Sequence, residues 1–108
     1  IKDSITKKNL NKNSKIKIKD YILDKNERKL IKNNKFVELT EKEIQLLELF
    51  LNNTLPIGKK IILEEVWKYA PEADTHTVET HIYRLRKKIN SQFSDENFIL
   101  NEKDGYLI

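Results

Sequence analysis

The chain of 108 residues contains no cysteine and only two glycines and two prolines. The absence of cysteine excludes disulfides and thiolate metal sites. With only two glycines, we expect none of the Gly-rich loops that cradle phosphate groups in nucleotide-binding proteins. No apolar run approaches the ~20 residues needed to span a bilayer, and no secretory signal is visible at the start. We therefore expect a cytoplasmic protein, of the size of one domain, without membrane association.

Enzyme motifs are also missing. His76 and His81 are five residues apart, whereas a helical zinc pair needs a spacing of four. Glu64 and Glu65 lie in a plain amphipathic pattern, and no Ser, His and Asp constellation is evident. We expect no catalytic activity, no metal and no cofactor.

Charge is distributed unevenly along the chain. Residues 1–35 carry 12 Lys and Arg against 4 Asp and Glu, residues 36–75 carry 4 against 8, and residues 76–108 carry 5 against 5. Within the last segment four basic residues are clustered: Arg84, Arg86, Lys87 and Lys88. Such a cluster is a footprint of nucleic-acid binding, although from charge alone a solvated face is the commoner explanation.

The N-terminal third predicts a linker followed by a small antiparallel meander. Residues 1–14 are polar, rich in Lys and Asn, and without sustained periodicity. The apolar pattern then predicts three strands, at residues 16–23, 28–32 and 36–39, separated by turns at 25–27 and 33–34. Because no initiator Met is present, the chain is expected to be a piece of a longer protein.

A helical period begins after the meander. Thr40 and Glu43 have the spacing of a capping box, and the first helix is expected to end near Asn52. The second helix is predicted over about residues 59–69, with Gly58 as its N-cap.

The third predicted helix, from about His76 to Asn90 with Thr75 as N-cap, has two contrasting faces. At ~100° per residue, four apolar residues form a stripe about 60° wide: Val78, Ile82, Leu85 and Ile89. The opposite side carries polar and basic side chains: Thr77, Thr80, Tyr83, Arg84 and Lys87. One face is therefore suited to a core, and the other to the base edges of the major groove.

The chain ends with a predicted β-hairpin, in which apolar runs at residues 98–100 and 106–108 flank Asp104-Gly105 turn chemistry. An N-terminal antiparallel meander, three helices and a C-terminal hairpin give an α+β winged helix-turn-helix over residues 15–108.

Four sequence segments occur in the order and spacing that is typical of one protein family. They are Leu39 to Leu47 (LTEKEIQLL), Leu63 to Trp67 (LEEVW), His76 to Ile89 (HTVETHIYRLRKKI) and Gly105 to Ile108 (GYLI). Together they resemble the DNA-binding effector domain of OmpR/PhoB-type response regulators. The resemblance implies sequence-specific binding to double-stranded DNA, control of transcription in a two-component system, and a bacterial source. It also makes residues 1–14 the linker from a preceding receiver domain.

The resemblance implies DNA contacts at these positions: His76, Thr77, Thr80, His81, Arg84, Arg86, Asn101 and Lys103. The basic face adds Lys87, and Lys88 is a further candidate for a phosphate contact. The family also implies a dimer on direct-repeat half-sites and a contact of the loop before the third helix with RNA polymerase, here through Glu72 and Asp74.

Two departures from the family bear on function. Gly58 stands where family members commonly have Ser or Thr. The wing turn is shorter than usual and places Glu102 and Asp104 around Lys103, which argues against the usual insertion into the minor groove.

Several alternatives stay open on sequence alone. His81 is either a phosphate contact or a packed histidine at the edge of the core, and Tyr83 is equally a packing residue or a contact. Arg86 and Lys88 are contacts or solvated charges, and Trp67 is expected in the core. The competing function is a winged helix that binds proteins without reading DNA.

Overall fold

The computed structural model describes residues 15–68 and 70–108, so the predicted linker at residues 1–14 lies outside the described part. The chain divides between residues 39 and 40 into two compact units.

The first unit contains a four-stranded antiparallel sheet in the order β1-β2-β3-β4. The strands are β1 (Lys15–Ile18), β2 (Tyr21–Asp24), β3 (Lys29–Lys32) and β4 (Lys35–Glu38). The meander was correctly predicted, but its first strand is split in two. Lys19 adopts a positive φ of 53°, and Ile18 pairs with Tyr21 across the resulting turn. Lysine is not a typical residue for that backbone region, and Asp20 beside it is a single turn signal within an otherwise strand-like pattern.

The register places apolar residues in two rows on opposite faces of this sheet. Leu23 pairs with Leu30, and Leu30 pairs with Val37; all three are buried. On the other face Ile22, Ile31 and Phe36 form a more exposed row. Side chains alternate between the faces of a pleated sheet, so one face is apolar and buried while the other is partly exposed.

Two turns of the sheet follow recognisable chemistry. The Asp24 carboxylate accepts hydrogen bonds from the amides of Asn26 and Glu27, both at 3.1 Å. Asn33 and Asn34 both have positive φ, as a two-residue type I′ hairpin requires. The predicted turns at 25–27 and 33–34 are thus confirmed.

The second unit contains helices α1 (Glu41–Leu51) and α2 (Lys59–Trp67), α3 (Thr75–Phe93), and a hairpin of β5 (Leu100–Glu102) and β6 (Gly105–Leu107). Helix α2 is α-helical over Lys59–Ile62 and continues as a π-helical turn over Leu63–Trp67. The predicted N-cap Gly58 is confirmed.

Helix α1 begins with the predicted capping box. The Glu43 amide donates to the Thr40 hydroxyl at 3.2 Å, and the Thr40 amide donates to the Glu43 carboxylate at 2.8 Å. Glu43 is buried, and its carboxylate also accepts from the Lys88 ammonium at 2.8 Å. One carboxylate therefore caps α1 and ties it to α3.

The hairpin is displaced from its predicted position. Phe98 and Ile99 are buried but precede β5, which begins at Leu100. The turn residues are Lys103 and Asp104, because Glu102 pairs with Gly105. Gly105 therefore belongs to the strand, not to the centre of the turn as Asp-Gly chemistry suggested.

The element order of sheet, three helices and terminal hairpin is that of a winged helix, as the sequence predicted.

Candidate nucleic-acid interface

Helix α3 is fixed at its start by a reciprocal cap between Asp74 and Thr77. The Thr77 amide donates to the Asp74 carboxylate at 3.0 Å, and the Asp74 amide donates to the Thr77 hydroxyl at 3.1 Å. The bond from the Thr77 amide is the largest cause of the lowered pKa of the Asp74 carboxyl. The predicted N-cap Thr75 is wrong: it is the first helical residue. Thr and Asp both make good caps, but only Asp74 has a Thr three positions later that completes the box.

The predicted apolar stripe of α3 is confirmed, because Val78, Ile82, Leu85 and Ile89 are each at most 1% exposed. The helix extends to Phe93, three residues beyond the predicted end, and stops where Ser94 adopts a left-handed conformation. The angular position of every other α3 side chain follows from this buried stripe.

The face opposite the stripe carries the predicted basic and polar side chains. Arg84 and Lys87 are exposed, His76 is exposed, and Thr80 is half-buried. Arg86 is half-buried and borders a shallow groove together with Tyr83 and Lys87. Within residues 15–68 and 70–108, neither Arg84 nor Lys87 forms an ion pair, and both lie on the side of α3 opposite the buried stripe.

His81 lies at the edge of the core. Its ring packs edge to face on Trp67 with 4.8 Å between ring centroids, and Nδ1 lies 3.0 Å from the Thr77 carbonyl oxygen. A carbonyl oxygen only accepts, so Nδ1 donates and Nε2 remains for another partner. His81 is half-buried, as is Trp67, so packing and a contact through Nε2 are compatible.

Lys59 and Glu79 form an ion pair at 2.6 Å that joins α2 to α3, and sequence reasoning missed it. The Lys59 ammonium, by its hydrogen bond and charge, lowers the pKa of Glu79, and Glu79 raises the pKa of Lys59. His76 lies on the far side of Glu79, with Nδ1 at 3.6 Å. The two partners are twenty residues apart in the chain, so no local sequence pattern predicts this ion pair.

The wing is anchored to the segment before α2. Ile57 and Tyr106 exchange two backbone hydrogen bonds, of 2.8 and 2.9 Å. Gly105 has a φ of 144°, and a Cβ there would lie 2.2 Å from the Ile57 carbonyl oxygen. Only glycine permits this close approach. The glycine of the Gly-Tyr ending thus lets the wing pair with the segment before α2.

The exposed part of the wing contains the two predicted contacts, Asn101 and Lys103. Glu102 and Asp104 are exposed beside Lys103. The wing therefore presents more negative than positive charge, unlike the outer face of α3.

In the loop before α3, the two predicted polymerase-contact residues differ. Glu72 is exposed, whereas the Asp74 carboxylate is engaged in the α3 cap. At the end of α2, the Val66 carbonyl oxygen accepts a hydrogen bond of 3.0 Å from the Lys42 ammonium of α1.

Over residues 15–68 and 70–108, no group of three or more His, Cys, Asp or Glu side chains is arranged to hold a metal ion. No helix in these ranges is long and apolar enough to cross a membrane.

Comparison with known proteins identifies the family. Residues 33–108 match the family described as "Transcriptional regulatory protein, C terminal". The "Probable transcriptional regulator ycf27" of Porphyra purpurea is 43% identical over 89 residues, which cover 79% of this chain and 37% of that protein. The "Transcriptional regulatory protein QseB" of Haemophilus influenzae is 38% identical over 72 residues, covering 66% of this chain and 33% of that protein. The chain thus spans about a third of the length of these curated relatives.

Two solved structures are similar in fold. The C-terminal domain of the nisin resistance regulator NsrR superposes with a TM-score of 0.69 at 28% identity, covering 84% of this chain and 93% of that chain. The DNA-binding domain of E. coli CadC superposes with a TM-score of 0.75 at 21% identity, covering 85% and 88%. The second likeness concerns the fold alone. The matches confirm the prediction of a regulatory and non-enzymatic domain, and the chain belongs to the OmpR/PhoB-type effector domains, the C-terminal domains of transcriptional regulatory proteins.

Proposed function

We propose that this chain binds double-stranded DNA sequence-specifically, with α3 in the major groove, and thereby controls transcription in the cytoplasm as part of a two-component response regulator. The observation that carries the proposal is the geometry of α3. The four apolar residues of its stripe are each at most 1% exposed, while Arg84 and Lys87 are exposed on the opposite side. A major groove accepts one α-helix, and its guanine edges suit the two donors of an Arg guanidinium.

The predicted contacts divide into two roles. Arg84 is the base-reading candidate, since its exposed guanidinium can bind the O6 and N7 atoms of guanine. His76, Arg86 and Lys87 are candidates for phosphate contacts, which position the helix without reading sequence. Four predicted contacts are partly engaged within the protein, and one of them is His76, whose Nδ1 lies 3.6 Å from the Glu79 carboxylate. Thr77 caps α3, His81 packs on Trp67, and Lys88 binds Glu43.

Two copies are proposed to bind direct-repeat half-sites about one helical turn apart, so that both lie on the same face of the duplex. Glu72 is proposed to contact RNA polymerase, because it is exposed and lies just before the DNA-reading helix. Both proposals follow from family membership.

The test is electrophoretic mobility shift with DNA selected from a random pool, over a series of salt concentrations. Arg84→Ala is expected to weaken binding to the selected site by about 5- to 150-fold, which corresponds to about 1–3 kcal/mol. Lys87→Ala is expected to weaken all sequences alike and to reduce the salt slope by about 1. Lys35→Ala is the charge-matched control, because Lys35 is exposed but lies outside α3 and the wing.

The competing function is a winged helix that binds a protein partner and reads no DNA. It predicts no enriched sequence and equal behaviour of the Lys87→Ala and Lys35→Ala variants. The exposed cations on α3 favour DNA over this alternative, since a surface for protein docking has a more apolar centre.

A further inference from the structure

Tyr83 is an aromatic residue with an unusual position. Its side chain is 64% exposed on α3, the longest helix of the described chain. Within residues 15–68 and 70–108, its ring and hydroxyl have no hydrogen bond, ion pair or ring contact. Aromatic side chains normally bury most of their large surface. Tyr83 is therefore not a core residue, and its exposure favours the contact role over the packing role that the sequence left open.

The ring stands among the groups that are proposed to meet DNA. Tyr83 follows Thr80 by three residues, precedes Lys87 by four, and adjoins Arg84 in sequence. Residues three and four apart are neighbours on a helix surface. At 100° per residue, Tyr83 lies about 130° from the centre of the buried stripe, on the same outer side as these residues.

The surroundings of the ring are polar. Tyr83 borders a shallow groove that is also lined by Arg86, Lys87, Asn90 and Glu96. A ring surrounded by two cations, an amide and the Glu96 carboxylate is poorly suited to a hydrophobic protein partner. It is well suited to a major groove, where one apolar group, the C5-methyl of thymine, stands among hydrogen-bonding edges.

We propose that Tyr83 is a specificity-determining residue that selects a thymine by packing its ring on the C5-methyl group. This inference rests on the proposed binding of α3 in the major groove and adds a second base-reading residue to Arg84. The ring covers the methyl group and removes it from water, whereas cytosine and uracil offer no methyl group at that position.

The test combines a protein variant with deletion of one methyl group from the DNA. An operator is selected with the unmodified protein, and each thymine of the site is replaced in turn by uracil. Removing one buried methyl group is expected to weaken binding by roughly fourfold at one thymine. In Tyr83→Ala the same replacement is expected to have no effect at that thymine, while the other positions behave as before.

Three further variants control the result. Tyr83→Phe keeps the ring and should retain the roughly fourfold loss. Tyr83→Gln also removes the ring but keeps a longer polar side chain, and Gln, like Ala, is a good helix former. Lys35→Ala should also retain the loss. Circular dichroism and melting temperature verify that each variant is folded.

Two outcomes would overturn the proposal in different ways. In the first, each thymine-to-uracil replacement weakens binding of folded Tyr83→Ala and Tyr83→Gln as much as it weakens binding of the unmodified protein. Tyr83 then reads no methyl group, although the domain reads DNA. If the unmodified protein enriches no sequence from the random pool, the proposed function itself fails, and the thymine contact fails with it.

Discussion

Helix α3 and the wing lie in the same unit but are built differently. Helix α3 is nineteen residues long, is capped by Asp74 and Thr77, and carries a stripe that is almost completely buried. The wing consists of two strands of three residues, and Tyr106 is its buried residue. Opposite its stripe α3 exposes Arg84 and Lys87, whereas the wing exposes Glu102 and Asp104 around Lys103.

This difference suggests a division of labour. A helix held by packing over its whole length can place a guanidinium within the narrow tolerance that base reading requires. A short hairpin with surplus negative charge is repelled by the phosphates that line a minor groove. We therefore infer that α3 carries the specificity and that the wing mainly supports the start of α2 through Ile57.

Among the variants of α3, Leu85→Ala should cause the largest loss of unfolding free energy. Leu85 is fully buried in the middle of the stripe, where such a truncation costs roughly 2–5 kcal/mol of unfolding free energy. Denaturant unfolding measures the loss, and Lys87→Ala is the exposed control two residues away. Equal stability of the two variants would show that the stripe is not the core face of α3.

A smaller effect is expected on the wing side from Gly105→Ala. The new Cβ would collide with the Ile57 carbonyl group and would force a left-handed backbone on alanine, at a cost of about 1–3 kcal/mol. Gly58→Ala is the matched control, since its Cβ would only touch the Asp104 carbonyl oxygen at 3.8 Å. Thermal melting measures the difference, and Gly105→Ala should melt at the lower temperature. Similar melting temperatures of the two variants would mean that the Ile57–Tyr106 pairing does not hold the wing.

How far the sequence predicts the structure also differs between these regions. The periodicity of α3 correctly predicts its buried stripe, and Thr40 with Glu43 correctly predicts the capping box, because both signals lie within one or two helical turns. The turn at Lys19 was not predicted, and the wing was predicted to begin two residues too early. At the turn, Asp20 is a single turn signal beside a lysine that is unusual at positive φ. At the wing, the apolar run of Phe98, Ile99 and Leu100 is typical of a strand, but Phe98 and Ile99 are buried ahead of β5.

For the candidate site, the sequence predicted which side chains face outward but not what they contact inside the protein. The Lys59–Glu79, Lys88–Glu43 and His81–Trp67 contacts join residues far apart in the chain. Such pairs depend on how the helices pack, which no local pattern encodes.

A third region, the loop before α3, is expected to act on transcription and to have little effect on DNA affinity. Glu72→Lys should leave operator binding unchanged or slightly strengthened, because a negative charge near DNA is removed. Activated transcription should fall in a reconstituted assay with RNA polymerase. Glu72 is the cleaner target than Asp74, since loss of Asp74 would also remove the α3 cap. If transcription by Glu72→Lys changes only as much as its DNA affinity does, the loop is a connector and does not contact RNA polymerase.

The smallest effect is expected from Glu79→Gln, beside the wing. Lys59 lowers the pKa of Glu79 below its ordinary 4.5, and Glu79 raises the pKa of Lys59 above 10.5. The pair therefore stabilises the fold between these values, and its contribution is lost as pH falls through the lowered Glu79 pKa or rises through the raised Lys59 pKa. Both side chains are substantially exposed, so the gain is small.

Melting temperatures across the acid range measure this contribution. Glu79→Gln should remove the part of the acid destabilisation that is due to this pair and leave the neutral melting temperature almost unchanged. A large loss at neutral pH would mean that the pair is a main tie between α2 and α3. Glu64→Gln is the control, because Glu64 is an exposed carboxylate on the π-helical turn of α2.

The central claim, that α3 reads sequence and the wing does not, is tested most directly by a ratio of affinities. For Arg84→Ala and Lys103→Ala, the affinity for the selected operator is divided by the affinity for unrelated DNA at the same salt concentration. The account predicts that Arg84→Ala lowers this ratio by about 5- to 150-fold, while Lys103→Ala leaves it unchanged even where both affinities fall. A ratio that falls more for Lys103→Ala than for Arg84→Ala would contradict the account.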